Sequence, residues 1–412
     1  PTFSALGGTR PRAITASKAL TPGRIGDLEL RNRFIRAGCF EGMSQGGWVT
    51  PALVEHHRRV AAGGAAMTTV AYCSVSPEGR AFDHELWMCK EIMPGLRKLI
   101  EAVHGEGAAA SVQLGHCGFF ASPKVIGRRP LGASRKLCLY HLSRCEEMSE
   151  AEIKTTTEDF VRAAQLARQA GFDAIEIHAG HGYLFSQFLS PWTNHRRDRY
   201  GGALENRLRF PAQVIRGVRQ ALGPGFPILI KMNQRDGMRG GLEIDEAIQI
   251  ARRFELEGAS MLIPSCGFTA KTPLYMMRGH VPMREMARNQ RNPLARLSTL
   301  LFGRFLVQAY PFRSLFLLDG ALQILQSVTI PVAYVGGVLS LADMEQVMQA
   351  GFEFAQVGRA IVCDPDFVNK LHTGTIEASD CDHCNRCIAA MESGGVYCVT
   401  YSQGQTEVKH TG

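Results

Sequence analysis

Three side chains in one short stretch can do hydrogen-bond and proton-transfer chemistry on a small molecule: His178, His181 and Tyr183, within His178-Ala179-Gly180-His181-Gly182-Tyr183. They follow an apolar run ending in Ile175-Glu176-Ile177, so they read as a loop leaving the C-terminal end of a strand. That is where an alternating α/β barrel carries its catalytic groups. A lone loop histidine is ordinarily a satisfied surface residue, whereas three such groups crowding one turn mark a candidate site. A second set is Cys381, Cys384, Cys387 and Cys398, spaced C-x2-C-x2-C-x10-C, a pattern that by itself suggests a metal site.

Short apolar runs alternate along the chain with amphipathic segments, the pattern of a parallel sheet with crossover helices. Eight strands are predicted, at Arg33 to Ala37, Ala66 to Ala71, Ala109 to Leu114, Asp173 to Ile177, Pro227 to Met232, Ser260 to Pro264, Pro331 to Val335 and Phe354 to Val357. Eight alternating units close a (β/α)8 TIM barrel. A capping box at Ser149 and Glu152 opens a long helix; Gly171, Gly258 and Gly351 supply left-handed stops. The segment Leu204 to Leu222 reads as one amphipathic helix.

Two stretches exceed a plain barrel. Phe119 to Glu147, with Pro123, Pro130 and Gly132, reads as an irregular excursion over the barrel top. Residues 271–327 form an insertion between strands six and seven, too long for a simple connection, so it must hold helices of its own. Its apolar run from Phe305-Leu306-Val307 through Tyr310, Phe312, Phe316, Leu317 and Leu318 is expected to pack on the barrel or on a second copy in a homo-oligomer. A contact with a membrane surface is the remaining option. Arg278, Arg284, Arg288, Arg291, Arg296 and Arg304, with Glu285 the single acid between Arg278 and Arg304, are candidates to receive a phosphate-bearing substrate tail or the nicotinamide coenzyme. The expected organisation is an N-terminal extension over 1–18, a barrel over 19–372 and a cysteine-rich segment over 373–412.

Composition bounds the partners. A chain of 412 residues with 45% hydrophobic and 20% charged residues suits one globular barrel with additions. No run reaches the ~18 apolar residues of a membrane span. The net charge of +8 comes from scattered pairs such as Arg58-Arg59, without the aromatic interleaving of a nucleic-acid surface. Twelve cysteines without a signal peptide point to a reducing compartment, the cytoplasm by default. Arg10 and Arg12 without acids loosely fit an organelle transit peptide, but Pro11 interrupts the run and favours a short extension.

The stretch from His178 to Arg209, with Gln187-Phe188-Leu189-Ser190-Pro191 and Asn194-His195-Arg196-Arg197-Asp198-Arg199-Tyr200-Gly201-Gly202, resembles nearly residue for residue the substrate loop of the old yellow enzyme family of flavin-dependent ene-reductases. The resemblance implies an FMN-containing barrel, with NAD(P)H as co-substrate and an α,β-unsaturated carbonyl compound as the molecule reduced. His178 and His181 would hold the carbonyl oxygen, and Tyr183 would give a proton to the α-carbon. A flavin needs partners for its pyrimidine edge, a cation where charge collects on reduction, and backbone N–H groups for its phosphate. Gln113, in Gln113-Leu114-Gly115-His116-Cys117-Gly118, resembles the family's flavin-bonding glutamine. Phe119 stands where the family has Arg, so any role of that Arg does not transfer. Lys231 stands where the family usually has Arg, and a point charge still serves. Gly336-Gly337 and Gly358-Arg359 match the phosphate-binding turns. Gly38, Cys39 and Phe40 run under the flavin, with Phe40 in place of the usual Thr or Cys.

Tyr72 and the four cysteines are similar to features of multidomain members, trimethylamine dehydrogenase and 2,4-dienoyl-CoA reductase, whose cysteines hold a [4Fe–4S] centre. The shorter last spacing here, and a chain that ends at Gly412 without a second redox domain, favour a remnant loop or a zinc site instead. An amine dehydrogenase is the alternative enzymatic reading, opposed by His178, where those enzymes have Tyr. A flavin-bound sensor or scaffold is the non-enzyme alternative, opposed by the complete set of His178, His181 and Tyr183.

Overall fold

The computed structural model describes residues 17–288, 293–391 and 394–401. Eight parallel strands form the barrel: β1 (Phe34–Arg36), β2 (Met67–Ser74), β3 (Ala109–Gly115), β4 (Ala174–Ala179), β5 (Ile228–Arg235), β6 (Met261–Cys266), β7 (Ala333–Val335) and β8 (Phe354–Val357), and the two-residue strand Leu86–Trp87 pairs beside β2. They pair in the order β6-β5-β4-β3-β2-β1-β8-β7. A parallel bridge between Leu262 and Val332 joins the two ends and closes the barrel. Every predicted strand is present, several extended at their C-terminal ends, where the functional residues sit. β2, β4 and β6 are buried along their whole length, the burial expected when helices cover the outside and side chains fill the inside.

The covering helices are α1 (Pro51–Ala62), α2 (Met93–Gly105), α3 (Glu150–Ala170), α4 (Arg209–Leu222), α5 (Ile244–Leu256), α6 (Leu318–Leu325), α7 (Leu341–Gln349) and α8 (Phe367–His372). α3 starts in the expected capping box: Ser149 Oγ accepts from Glu152 N at 3.2 Å, and Glu152 Oε2 accepts from Ser149 N at 2.8 Å. Gly171, Gly258 and Gly351 all take positive φ.

The single helix read over Leu204 to Leu222 is two: one turn at Leu204–Arg207, then α4 from Arg209. Pro211 explains the break, because it has no N–H to give the Arg207 carbonyl and its ring crowds that carbonyl. The Arg207 guanidinium is held instead by Glu246 and the Leu189 carbonyl, which pins the turn beneath the substrate loop.

The excursion after β3 has little regular structure: a hairpin pairing Leu137–Cys138 with Ser143–Arg144, and a parallel contact of Leu131–Gly132 with Glu146–Glu147. The insertion does carry helices, Met283–Arg288 and Pro293–Leu306, before α6. Its apolar run folds back over the barrel top, where Tyr310 packs edge-on against Tyr275, and Phe316 and Leu317 are buried. Residues 1–16 and 402–412, Arg291, and the side chains of Arg304, Phe305 and Leu306 lie outside the described residues, so the N-terminal extension is not placed. No helix among the described residues is long and apolar enough to cross a membrane.

Candidate active site

One cavity opens at the C-terminal ends of the strands, and its floor is polar. Glu176 on β4 is fully buried. Its Oε1 accepts from Lys231 Nζ of β5 at 2.9 Å and from Gln113 Nε2 of β3 at 2.5 Å. Its Oε2 accepts from Gln356 Nε2 of β8 at 2.5 Å. The parallel ladder aligns Glu176 with Gln113 and, two residues further along the strands, His178 with Lys231, so strand register brings these groups to neighbouring levels, and the long Lys231 side chain closes the remaining gap to Glu176. Glu176 and His178 are two residues apart and therefore point to the same face of β4. Gly38 is required beside this floor, since a Cβ there would lie 2.8 Å from Gln113 Nε2.

The roof is the turn after β4. His178, buried, packs edge-on against His181 and Tyr183 with ring centroids 4.8 Å apart in each case. Tyr72 of β2 completes the group, 5.2 Å from the Tyr183 ring. His178 Nδ1 accepts from the Gly180 N–H at 3.4 Å, which leaves Nε2 as the protonated nitrogen. His181 has φ +58, and its backbone N–H donates to Asn233 Oδ1 at 3.0 Å while Nε2 shares a 2.7 Å hydrogen bond with Ser265 Oγ. Gly182 follows with φ +81, and a Cβ there would collide with the Phe268 ring. The left-handed turn thus needs its glycine on both conformational and steric grounds.

Burial drives both histidines toward the neutral form: His178 is held well below the ordinary imidazole range, and His181 falls to about 3, with the Lys231 charge adding to each. Burial pushes the Tyr183 phenol well above its usual range. At neutral pH the roof is therefore two neutral imidazoles and a protonated phenol, a set that donates hydrogen bonds without carrying charge. The roof is tied to the loop after β3 by buried Gln187, whose Oε1 accepts from Phe119 N at 3.0 Å. Its Nε2 donates to the carbonyls of Cys117 (2.9 Å) and Gly182 (2.8 Å).

The cavity lining also includes Gly38, Cys39, Phe40, Tyr72, Gly336, Gly337, Gly358 and Arg359, so the residues singled out on seven separate strands or loops converge on it. Phe40 stacks on Phe82 with centroids 5.4 Å apart. Arg359 is only partly available, because its Nη1 donates to the Arg278 carbonyl at 2.7 Å and to Asn385 Oδ1 at 2.6 Å.

Residues not anticipated from sequence also line the space: Gln356, Ser265, Thr269, Met276, Met277, Phe312, Phe316 and His383. The signal for Gln356 was present, as a polar residue inside the core strand Phe354-Ala355-Gln356-Val357. Phe312 and Phe316 were readable only as members of an apolar run that packs on the barrel, and Met276 and Met277 gave no signal, since the path of the insertion over the barrel is set by tertiary packing. None of the arginines Arg278, Arg284, Arg288 and Arg296 lines the cavity. Arg278 stacks over Tyr275 and Phe316, Arg284, Arg288 and Arg296 are exposed, and Glu285 pairs with Arg386.

Cys381, Cys384, Cys387 and Cys398 face one small second cavity together with Cys363, behind Arg359. Cys387 lines both spaces. Among the described residues no three His, Cys, Asp or Glu side chains are gathered as a metal ion requires.

The donor set of the main cavity fits a flavin. Gln356 Oε1 is buried without a partner, an acceptor suited to a ring N–H of the pyrimidine edge. Lys231 supplies the cation, and Gly336 (φ +123) and Gly337 (φ +81) form a left-handed turn in the cavity wall.

The chain matches the NADH:flavin oxidoreductase / NADH oxidase family over residues 18–266, more than half its length. It is 38% identical over 374 residues to 4,4'-dithiodibutanoate disulfide reductase of Rhodococcus erythropolis, covering 90% of this chain and 93% of that protein. To NADH oxidase of Thermoanaerobacter brockii it is 30% identical over 369 residues, covering 88% of this chain but only 52% of that one. Among solved structures, 2-naphthoyl-CoA reductase superposes with a TM-score of 0.78 at 22% identity, over 92% of this chain and 56% of that one. Morphinone reductase gives 0.71 at 20% identity, over 95% and 99%. The chain thus spans about half the length of some relatives and nearly all of others. With a closed barrel, a polar floor suited to flavin and this match, the chain belongs to the NADH:flavin oxidoreductase / NADH oxidase family and is an NAD(P)H-dependent flavin oxidoreductase.

Proposed function

We propose that the protein holds one FMN in the barrel cavity and reduces the activated C=C bond of an α,β-unsaturated carbonyl compound. Held by Gln113, Lys231, Gln356 and the turn at Gly336 and Gly337, a bound flavin would supply hydride-transfer chemistry between NAD(P)H and the substrate's β-carbon. The observation that carries this reading is the roof, where two neutral imidazoles and one phenol meet within 4.8 Å ring to ring above the Gln113–Glu176–Lys231 floor. His178 Nε2–H and the His181 ring hold the substrate carbonyl oxygen, where negative charge grows as hydride arrives. Donors of this kind contribute roughly 2.7–4 kcal/mol each. Ser265 and Asn233 keep His181 in place, and the Tyr183 O–H delivers the proton to the α-carbon. Phe312, Phe316, Met276 and Met277 exclude water and supply an apolar wall.

A second acceptor class is favoured by one observation, the 38% identity to a disulfide reductase over nearly the whole of both chains. There the same two electrons would cleave S–S to two thiols, with the roof donors on the departing thiolate. Absorbance of the purified protein tests the flavin: a colourless protein that cannot be reconstituted with FMN removes the proposal. NAD(P)H consumption with a cyclic enone, set against a linear aliphatic disulfide, decides the acceptor.

A further inference from the structure

We propose that Glu176 is a positioning residue that holds down the reduction potential of the bound flavin by neutralising Lys231 at the cavity floor; this rests on the flavin reading above. A carboxylate is an odd neighbour for a site where negative charge must accumulate. Burying it is unfavourable unless every lone pair finds a partner. Here both oxygens do: Oε1 takes Lys231 at 2.9 Å and Gln113 at 2.5 Å, and Oε2 takes Gln356 at 2.5 Å. These partners come from β3, β5 and β8, so one side chain on β4 spans the barrel interior and reaches three strands.

Two consequences follow from that wiring. Lys231 is not a bare cation, because its counter-charge lies in the same fully buried layer, where screening by water is weak. Gln113 and Gln356 each spend an N–H on Glu176, which turns their carbonyl oxygens away from it; Gln356 Oε1 is buried and unpartnered in the cavity wall. Glu176 therefore fixes which atoms of the floor meet a ligand as well as the net charge there. An uncompensated lysine would stabilise an anionic reduced flavin, making it quick to accept hydride and slow to pass it on. Pairing with Glu176 counters that bias and leaves a stronger donor.

The test is the midpoint potential of FMN-replete wild type, E176Q, K231Q and the double variant, together with rates of both half-reactions. E176Q should favour the reduced over the oxidised flavin by at least tenfold, about +30 mV for a two-electron couple. It should reduce faster with NAD(P)H and pass hydride on more slowly, opposite signs that a loss of packing does not produce. K231Q should move the potential the other way, and the double variant should return near wild type. A flavin-replete E176Q with a change under twofold, about 9 mV, or of opposite sign, overturns the proposal. If E176Q alone loses flavin, the double variant, which buries no charge, should regain it; failure to do so makes Glu176 merely structural and also overturns it. A wild-type protein that takes up no FMN removes the flavin reading itself, a result distinct from an unmoved potential.

Discussion

The floor and the roof of the cavity are built by different means. Floor groups sit within strands: Gln113, Glu176, Lys231 and Gln356 are placed by ladder register and locked to one another. The roof sits on a turn: His178 begins in β4, but His181 and Tyr183 depend on a left-handed backbone and on braces from Asn233, Ser265 and Gln187. Above it, Phe312 and Phe316 arrive from an insertion. Rigid strands suit a cofactor site that must hold one geometry, and loops suit a surface that must accept a particular substrate. On this division, roof substitutions act on the substrate half-reaction and floor substitutions on both.

The sharpest break of that division is expected from Tyr183→Phe, which should slow alkene reduction by about 10²–10⁴-fold, the range for a general acid. Flavin reduction by NAD(P)H should be nearly unchanged, as rapid-mixing measurement of each half-reaction checks. Equal slowing of both would place Tyr183 with the floor. His178→Ala should lower alkene reduction by about 10²–10³-fold and also weaken binding of phenolic carbonyl mimics, because the same hydrogen bond serves ground and transition states.

A smaller effect comes from pH. His178, His181 and His116 are held neutral by burial, with His116 near about 4 and His181 near about 3. Unfolded, each takes up a proton below about 6.5, so stability present above that pH is lost as pH falls through the window toward 4. Each should contribute about 2 kcal/mol of loss by pH 5, measured as a fall in the urea midpoint. Because buried Glu85, pushed up to about 8, titrates with the opposite sign over this range, the check is the pH slope of wild type against His116→Phe: an identical slope in both would show that ring protonated in the fold. The smallest effect is expected from Cys381→Ser with Cys384→Ser, since neither thiol lines the main cavity. Flavin content and alkene reduction should stay within about twofold, surface-type changes being usually slight. Loss of stoichiometric iron together with activity would instead show a second redox centre there.

Legibility in the sequence followed the same split. All eight strands were readable because apolar runs and glycine stops act locally, and the roof residues because they lie together in one motif. The error at Leu208 came from weighing amphipathic spacing above Pro211. Glu176 and Gln356 went unread although each is a polar residue inside a core strand, since their meaning appears only when β4 and β8 face each other across the barrel. Met276 and His383 had no local signal, and Phe312 was legible as apolar but not as cavity wall, because their placement depends on how the insertion and the tail fold back.

Gln187 carries a consequence for how such a protein can change. Every bond its side chain makes, to Phe119 N and to the carbonyls of Cys117 and Gly182, is to main chain. Apart from Ser134 and Lys136, whose side chains bond the main chain of His195 and Trp192, the excursion after β3 can therefore be resequenced beyond its first residues without losing the Gln187 bonds that hold the turn carrying His181 and Tyr183. That makes the excursion the natural graft point for redirecting this barrel toward a new substrate.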